Sequence, residues 1–328
     1  SSDVCSSDLW AGVTVLAPSG AASAQDSYPS RAVRIIVPSA PGGTSDIGAR
    51  YLAQKLTERW GKPVVVENRA GAGTIIGTEL VARAPADGYT LLMAPGAFGT
   101  LPSFYKKLPF DAIRDFAPIT QMSATPNLLA VHPSVPARTT RELIALAKAQ
   151  GGKLLYASAG HGTQPHLTME LFQMMAGTRM GHVAYKGGAP GIVDLVGGQV
   201  AVIASSSMSL LIPHVRASRI RAIAITSRER SPVLPEVPTV IESGIASLAT
   251  YESVQWAGLL APAQTPRELL ARLHKEVTTQ LKTNEARERL RTDAADVIAG
   301  SPEELSAFIQ AEIAKWAKVV KAAGIQPE

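Results

Sequence analysis

Three glycine-rich corners carry the residues of this chain best suited to chemistry, and they offer backbone amides, hydroxyls and few charges. In the first, Pro38-Ser39-Ala40-Pro41-Gly42-Gly43-Thr44-Ser45-Asp46, the glycines let the backbone approach a ligand closely. The helix start behind them presents unpaired N–H groups and a positive dipole end, so a carboxylate or phosphate fits without a basic side chain. A plain strand-to-helix turn with Thr44 or Asp46 as N-cap fits the same residues. The second corner, Tyr156-Ala157-Ser158-Ala159-Gly160-His161-Gly162-Thr163-Gln164-Pro165-His166, repeats the arrangement. In open α/β sheets ligands bind outside the carboxyl ends of strands, where both corners would sit. The third, Tyr185-Lys186-Gly187-Gly188-Ala189-Pro190, adds a lysine that pairs with an anion or simply stands in solvent.

Other chemistries fit less well. Gly71-Ala72-Gly73-Thr74-Ile75-Ile76-Gly77 resembles a dinucleotide loop, but its spacing is GxGxxxG and no acidic residue ends the next strand. Ser158 could serve a secreted serine hydrolase, the alternative reading, yet Tyr156 stands where a nucleophile elbow needs glycine. His161 and His166 are five apart rather than the four of a zinc helix, and no paired carboxylates stand out. We therefore expect recognition loops, with no catalytic residue, metal or cofactor.

These corners need a scaffold of alternating strands and helices. Strands are predicted at 33–37, 64–66 and 89–94, with helices at 47–60 and 74–83 between them, the βαβαβ pattern of a largely parallel sheet. A second set follows: strands at 128–131, 154–157, 183–185, 200–205 and 220–226, with helices ending at Gln150 and spanning 165–176 and 190–196. Thr139-Thr140-Arg141-Glu142 reads as a capping box. The turn-rich stretch 231–244 crosses between lobes, and 255–260 is a further strand. Thr265-Pro266-Arg267-Glu268 and Ser301-Pro302-Glu303-Glu304 each place a hydroxyl at N-cap and proline at N1 of a closing helix. Two lobes joined by an excursion and a return imply a cleft between them.

Composition bounds the rest. The 328 residues are 46% hydrophobic and 18% charged, which excludes a disordered chain. The formal charge is +5, but the basic residues are interleaved with acids and only 5% of residues are aromatic, which excludes a nucleic-acid stripe. Residues 1–24 contain a short apolar run and then Ala22-Ser23-Ala24, the pattern of a secretory signal peptide, here without its basic start. A single cysteine, Cys5, allows no internal disulfide and lacks the context of a lipidation site.

Taken in order, PSAPGGTSD (38–46), VVENRAGAGTIIGTELVARAPADGYTLL (65–92), LPFDAIRDFAPIT (108–120), YASAGHGTQPHL (156–167), VAYKGGAPGIVDLVGGQV (183–200), LPEVPTVIESG (234–244) and VQWAGLLAPAQTPRELLARL (254–273) resemble the Bug family. These are TctC-like periplasmic receptors of tripartite tricarboxylate transporters. The resemblance implies a type II periplasmic binding protein fold, with two mostly parallel sheets flanked by helices and a cleft between lobes. By it, residues 25–128 form the first part of lobe 1, 129–249 lobe 2, and 250–328 the return to lobe 1. It implies ligand contacts at Ala40, Gly42, Gly43, Thr44 and Asp46 from one lobe and at Ser158, Gly162, Thr163 and His166 from the other. Tyr185, Lys186 and Gly187 match the family's third corner, and Ser205 lies in a small polar run where specificity would vary. The expected ligand is a small organic carboxylate, and the partner a membrane permease. The receptor would act as a periplasmic monomer. Ala201 departs from the family, which usually has an acidic residue there, and this argues against an amino-acid ligand.

Overall fold

Apolar runs that end at prolines and glycines divide the chain into eleven strands and ten α-helices, with short 3-10 turns between them, described over residues 28–292 and 294–327 in a computed structural model. The segment read as a signal peptide lies outside the described residues. In chain order the elements begin β1 (Val33–Val37), α1 (Thr44–Trp60), β2 (Val64–Asn68), α2 (Ile75–Ala82), β3 (Thr90–Pro95), α3 (Leu101–Phe104) and β4 (Phe116–Pro126). Then come β5 (Leu128–Val131), α4 (Thr140–Gln150), β6 (Leu155–Ser158), α5 (Gln164–Ala176), β7 (Gly181–Ala184), α6 (Gly188–Val196), β8 (Val202–Ser205), α7 (Met208–Arg216) and β9 (Arg221–Ile225). The last are β10 (Val254–Pro262), α8 (Arg267–Leu281), α9 (Asn284–Arg291), β11 (Asp296–Val297) and α10 (Pro302–Ala322).

The strands form two sheets, ordered β11-β4-β10-β3-β1-β2 and β7-β6-β8-β5-β9. Strands linked through helices run parallel: β1 beside β2 and β3, β6 beside β7 and β8. The expectation of mostly parallel sheets needs correction, because both are mixed. Strand β10 runs antiparallel to β3 and β4, and β5 antiparallel to β8 and β9. The reason is connectivity: β5 enters its sheet straight from β4, and β10 re-enters the first, neither through a crossover helix that would reverse direction. Strand β4 went unpredicted, because Pro118, Thr120, Gln121 and Ser123 interrupt its apolar alternation.

Caps set the helix entries. Thr139 accepts a hydrogen bond from the Glu142 amide at 3.2 Å, and Ser301 and Glu304 form a reciprocal capping box at the start of α10. Thr265 is not the N-cap of α8; Pro266 holds that place and the Thr265 hydroxyl turns back to the Pro262 carbonyl at 2.7 Å. The closing segment is also divided between lobes. Leu305 and Ile309 of α10 pack with Trp256 under the first sheet, whereas Trp316, Val319 and Val320 pack with Phe172 and Tyr251 under the second.

The chain passes from the first sheet to the second at Asn127 and returns at Ser253, and these crossing points are bonded to each other. The fully buried Asn127 side chain donates to the Ser253 carbonyl at 3.0 Å, and the Asn127 backbone N–H donates to Thr226 Oγ1 at 2.7 Å. Ser253 N donates to the Thr226 carbonyl at 3.0 Å. Replacing Asn127 by leucine removes a buried donor at constant size, so Asn127→Leu should destabilise by about 1–3 kcal/mol. Urea unfolding measures it; an unchanged midpoint would contradict the role given to this crossing.

Candidate functional site

The first corner follows β1 and is braced from inside. Asp46, 2% exposed, accepts from the Gly42 amide at 2.9 Å and from Arg50 Nε at 3.0 Å through Oδ2, and from Asn68 Nδ2 at 2.9 Å through Oδ1. Burial opposes its charge, yet the hydrogen bonds from Arg50, Gly42 and Asn68 outweigh that and hold the carboxyl below its usual value. Asn68 also donates to the Ser39 carbonyl at 3.1 Å. The N-cap of α1 is Gly43, not Thr44 or Asp46, and Gly42 takes a φ of 87° that favours glycine. Asp46, expected at the ligand, thus has its carboxylate committed to shaping the loop.

The second corner joins β6 to α5. Ser158 Oγ, on a residue 2% exposed, lies 3.1 Å from both the amide and the carbonyl of Gly160 and 2.6 Å from His182 Nε2. Thr163 Oγ1 donates to the Gly160 carbonyl at 2.7 Å, and the Gly162 amide donates to His166 Nδ1 at 3.0 Å. The third corner is laced to it: Tyr185 N donates to the Ser158 carbonyl at 3.0 Å and Gly187 N to Ala159 at 3.2 Å. The Tyr185 hydroxyl is turned away to Asp194 at 2.6 Å, Lys186 is exposed, and Ser205 Oγ accepts from Ser207 N at 3.2 Å.

Between these loops and the first lobe lies a cleft of about 620 Å³. Gly162, Thr163 and His166 line it, as does His161. Ala40, Gly42, Gly43, Thr44 and Asp46 do not; Pro38 and Ser39, at the start of their loop, take that place. Ser158, Tyr185, Lys186, Gly187 and Ser205 also stay off its wall. The lining that sequence reasoning missed comes from Gly71, Gly73 and Thr74, from Leu101, Phe104 and Tyr105, and from Ile325 near the end of the chain. Thr74 carried a signal in its GAGT context. It is held at φ 91°, a costly conformation for a β-branched residue, and its buried Oγ1 has no protein partner. Among the described residues, no Lys, Arg, Asp or Glu lines the cleft.

A histidine trio stands at one end. His182 arrives from β7 and stacks on His166 with ring centroids 4.0 Å apart and planes 11° apart, while His161 sits edge-on to His182 at 4.8 Å. One ring nitrogen from each residue lies within 4.8 Å of the others, so this is the group here best able to hold a metal. As packed, however, the near-parallel planes of His166 and His182 keep their lone pairs from converging on one centre, and His166 Nδ1 and His182 Nε2 already have partners. The same arrangement bears on a hydrolase: Ser158 and His182 touch, but Ser158 is buried and no carboxylate is hydrogen-bonded to His182 among the described residues. Burial and then neighbouring imidazoles push both His166 and His182 down to about 4.

Residues 48–325 match the sequence profile described as "Tripartite tricarboxylate transporter family receptor". The chain belongs to this receptor family. Among its relatives, BugT of Bordetella pertussis is 36% identical over 303 residues, covering 91% of each chain. Two solved receptors share the fold. "R. palustris Rpa4515 with adipate" is 35% identical with a TM-score of 0.75, over 92% of this chain and 100% of that one. "Structure of periplasmic binding protein BugD" is 34% identical with a TM-score of 0.72, over the same shares. Receptors of this family bind solutes, and the two-lobed α/β architecture found here is theirs.

The depressed histidines give the site a pH signature. Unfolded histidine titrates near 6.5, so between about pH 6.5 and 4 the unfolded chain binds more protons than the folded one. Their stability contribution is complete above that window and falls on acidification, by at most ~1.4 kcal/mol per pH unit for each ring. Melting temperature should therefore drop from pH 6.5 to 4, and the double variant His166→Gln/His182→Gln should drop less steeply. Identical slopes for the two proteins would contradict neutral burial.

Proposed function

We propose that this chain is a periplasmic solute receptor that closes its two lobes on a small organic carboxylate and hands it to the membrane subunits of a tripartite tricarboxylate transporter. The observation that carries this is the uncharged cleft, in which a helix start of one lobe faces hydroxyls and glycines of the other. Helix-start amides and hydroxyls hold a carboxylate without burying a counter-ion. Thr163, Gly162 and His166 serve the second lobe, and Ser39 and Thr74 the first, with Ala40, Gly42, Gly43 and Thr44 forming the supported loop beside Ser39. The lobes meet where a Cβ on Gly162 would lie 2.9 Å from the Phe104 ring, so closure brings that corner against α3. Binding would stabilise the closed arrangement in proportion to contacts made with both lobes.

The adipate bound by the R. palustris relative supports a carboxylate ligand here. Ala201, standing where the family usually has an acidic residue, and a cleft free of carboxylates both argue for a ligand without an ammonium group. The committed Ser158 hydroxyl favours a receptor that performs no chemistry on its ligand. We also take the receptor to be a monomer, exported by the segment at residues 1–24.

A thermal-shift screen tests the reading. A carboxylate at a hundred times its Kd should stabilise the native state by about 2.7 kcal/mol, with a dose-dependent rise in melting temperature, and nucleotides should give none. Gly162→Val, which crowds Phe104 at a φ of 70°, should weaken that carboxylate at least tenfold. Silence toward every carboxylate would overturn the proposal.

A further inference from the structure

The chain has seven tyrosines, and the state of their hydroxyls sets one apart. Five are hydrogen-bonded within the fold, as Tyr156 is to Glu170 and Tyr185 to Asp194. The hydroxyl of Tyr51 is buried, on a residue that does not line the cleft. Tyr105 does line it, and its hydroxyl has no hydrogen-bond partner among the described residues. Unlike the Thr74 hydroxyl, that of Tyr105 is not sealed from solvent. Thr100, another hydroxyl of this lobe at the cleft, spends its proton on the Ala97 carbonyl at 2.8 Å. Among these first-lobe hydroxyls at the cleft, those of Ser39 and Tyr105 keep a proton to give.

The Tyr105 side chain is held in place from backbone to tip. Its amide donates to the Leu101 carbonyl at 3.1 Å, the bond that closes α3. Its ring packs against the first-lobe core that contains Phe98 and Leu101. Its tip lies over Gly73, a cleft residue at φ 60°. A Cβ on Gly73 would stand 2.6 Å from the Tyr105 oxygen, but 3.5 and 3.6 Å from the nearest ring carbons. A side chain at position 73 would therefore collide with the hydroxyl and merely touch the ring. A donor fixed in this way loses little further freedom when it bonds a ligand, so more of the hydrogen bond appears as affinity. The segment that carries it is also the one that meets the other lobe, because Phe104 lies against Gly162.

We propose that Tyr105 is a ligand-binding residue of the first lobe, whose hydroxyl donates to a ligand carboxylate, and that Gly73 keeps the space this hydroxyl occupies. This rests on the carboxylate-receptor reading and adds two residues to it. Isothermal titration of the wild-type chain at pH 7.5 with adipate, malate, citrate and benzoate first identifies the best-bound acid. Tyr105→Phe removes one oxygen and keeps the packed ring, so the melting temperature of the ligand-free protein should not fall. The same variant should weaken the best-bound acid about tenfold or more, the usual worth of a hydrogen bond to a charged group. Gly73→Ala should weaken that acid by a similar factor in the wild type. In the Tyr105→Phe background it should add less than threefold, because the collision is with the hydroxyl alone. Two losses that multiply in full would overturn the part given to Gly73. Binding by Tyr105→Phe within twofold of the wild type would overturn the inference and leave the receptor reading standing. Binding of none of the four acids by the wild type would overturn both. Tyr105→Phe decides the matter even where Gly73→Ala fails to fold.

Discussion

The buried hydrogen-bond knot at Asn127, Thr226 and Ser253 is the constraint on which the rest of the structure depends. It fixes the two points where the chain changes sheet, and it does so with groups from which water is excluded. It also reaches the ligand corner: Gln164 donates to Ser253 Oγ at 3.0 Å, and Thr168 shares a 2.8 Å hydrogen bond with the same hydroxyl. Both residues belong to the first turns of α5, so the helix start that faces the cleft is anchored to the crossing between lobes. A shift of one lobe against the other must be felt where the anion would sit.

Charge is handled in a consistent way around the cleft. Arg50 and Asp46 satisfy each other behind the first corner, where they shape a loop without presenting net charge to a ligand. His166 and His182 stack as neutral rings at the second corner. What lines the cleft is amide, hydroxyl, imidazole and hydrocarbon. Such a surface binds an anion by replacing its water hydrogen bonds, and avoids the desolvation penalty of a buried ion pair.

Much of this was legible in the sequence, and the parts that were not share a cause. Strands β1 and β5 and the capping box at Ser301 follow from local pattern, because apolar runs and cap chemistry act within a few residues. The antiparallel β10 and the proline-bearing β4 do not, since their direction and pairing are set by partners more than a hundred residues away. The glycines and helix start of the β6–α5 loop were legible in the sequence, and Gly162, Thr163 and His166 of that loop line the cleft. The bonding of Asp46 was not legible, because a carboxylate in a glycine loop looks the same whether it meets a ligand or, as here, accepts from the loop's own Gly42 amide. His182 and Ile325 carry no local mark; only the parallel pairing of β6 with β7 and the reach of α10 across both cores bring them to the site.

The salt dependence of carboxylate binding tests the central claim most directly, that amides and hydroxyls grip the ligand and charged side chains do not. Exposed charges are largely screened across this range, whereas hydrogen bonds in a closed cleft are not. Titration calorimetry with the best-bound carboxylate between 0.1 and 0.5 M sodium chloride should give a Kd constant within about twofold. A Kd that rises tenfold or more would show that lysines or arginines supply the grip, and would contradict the account.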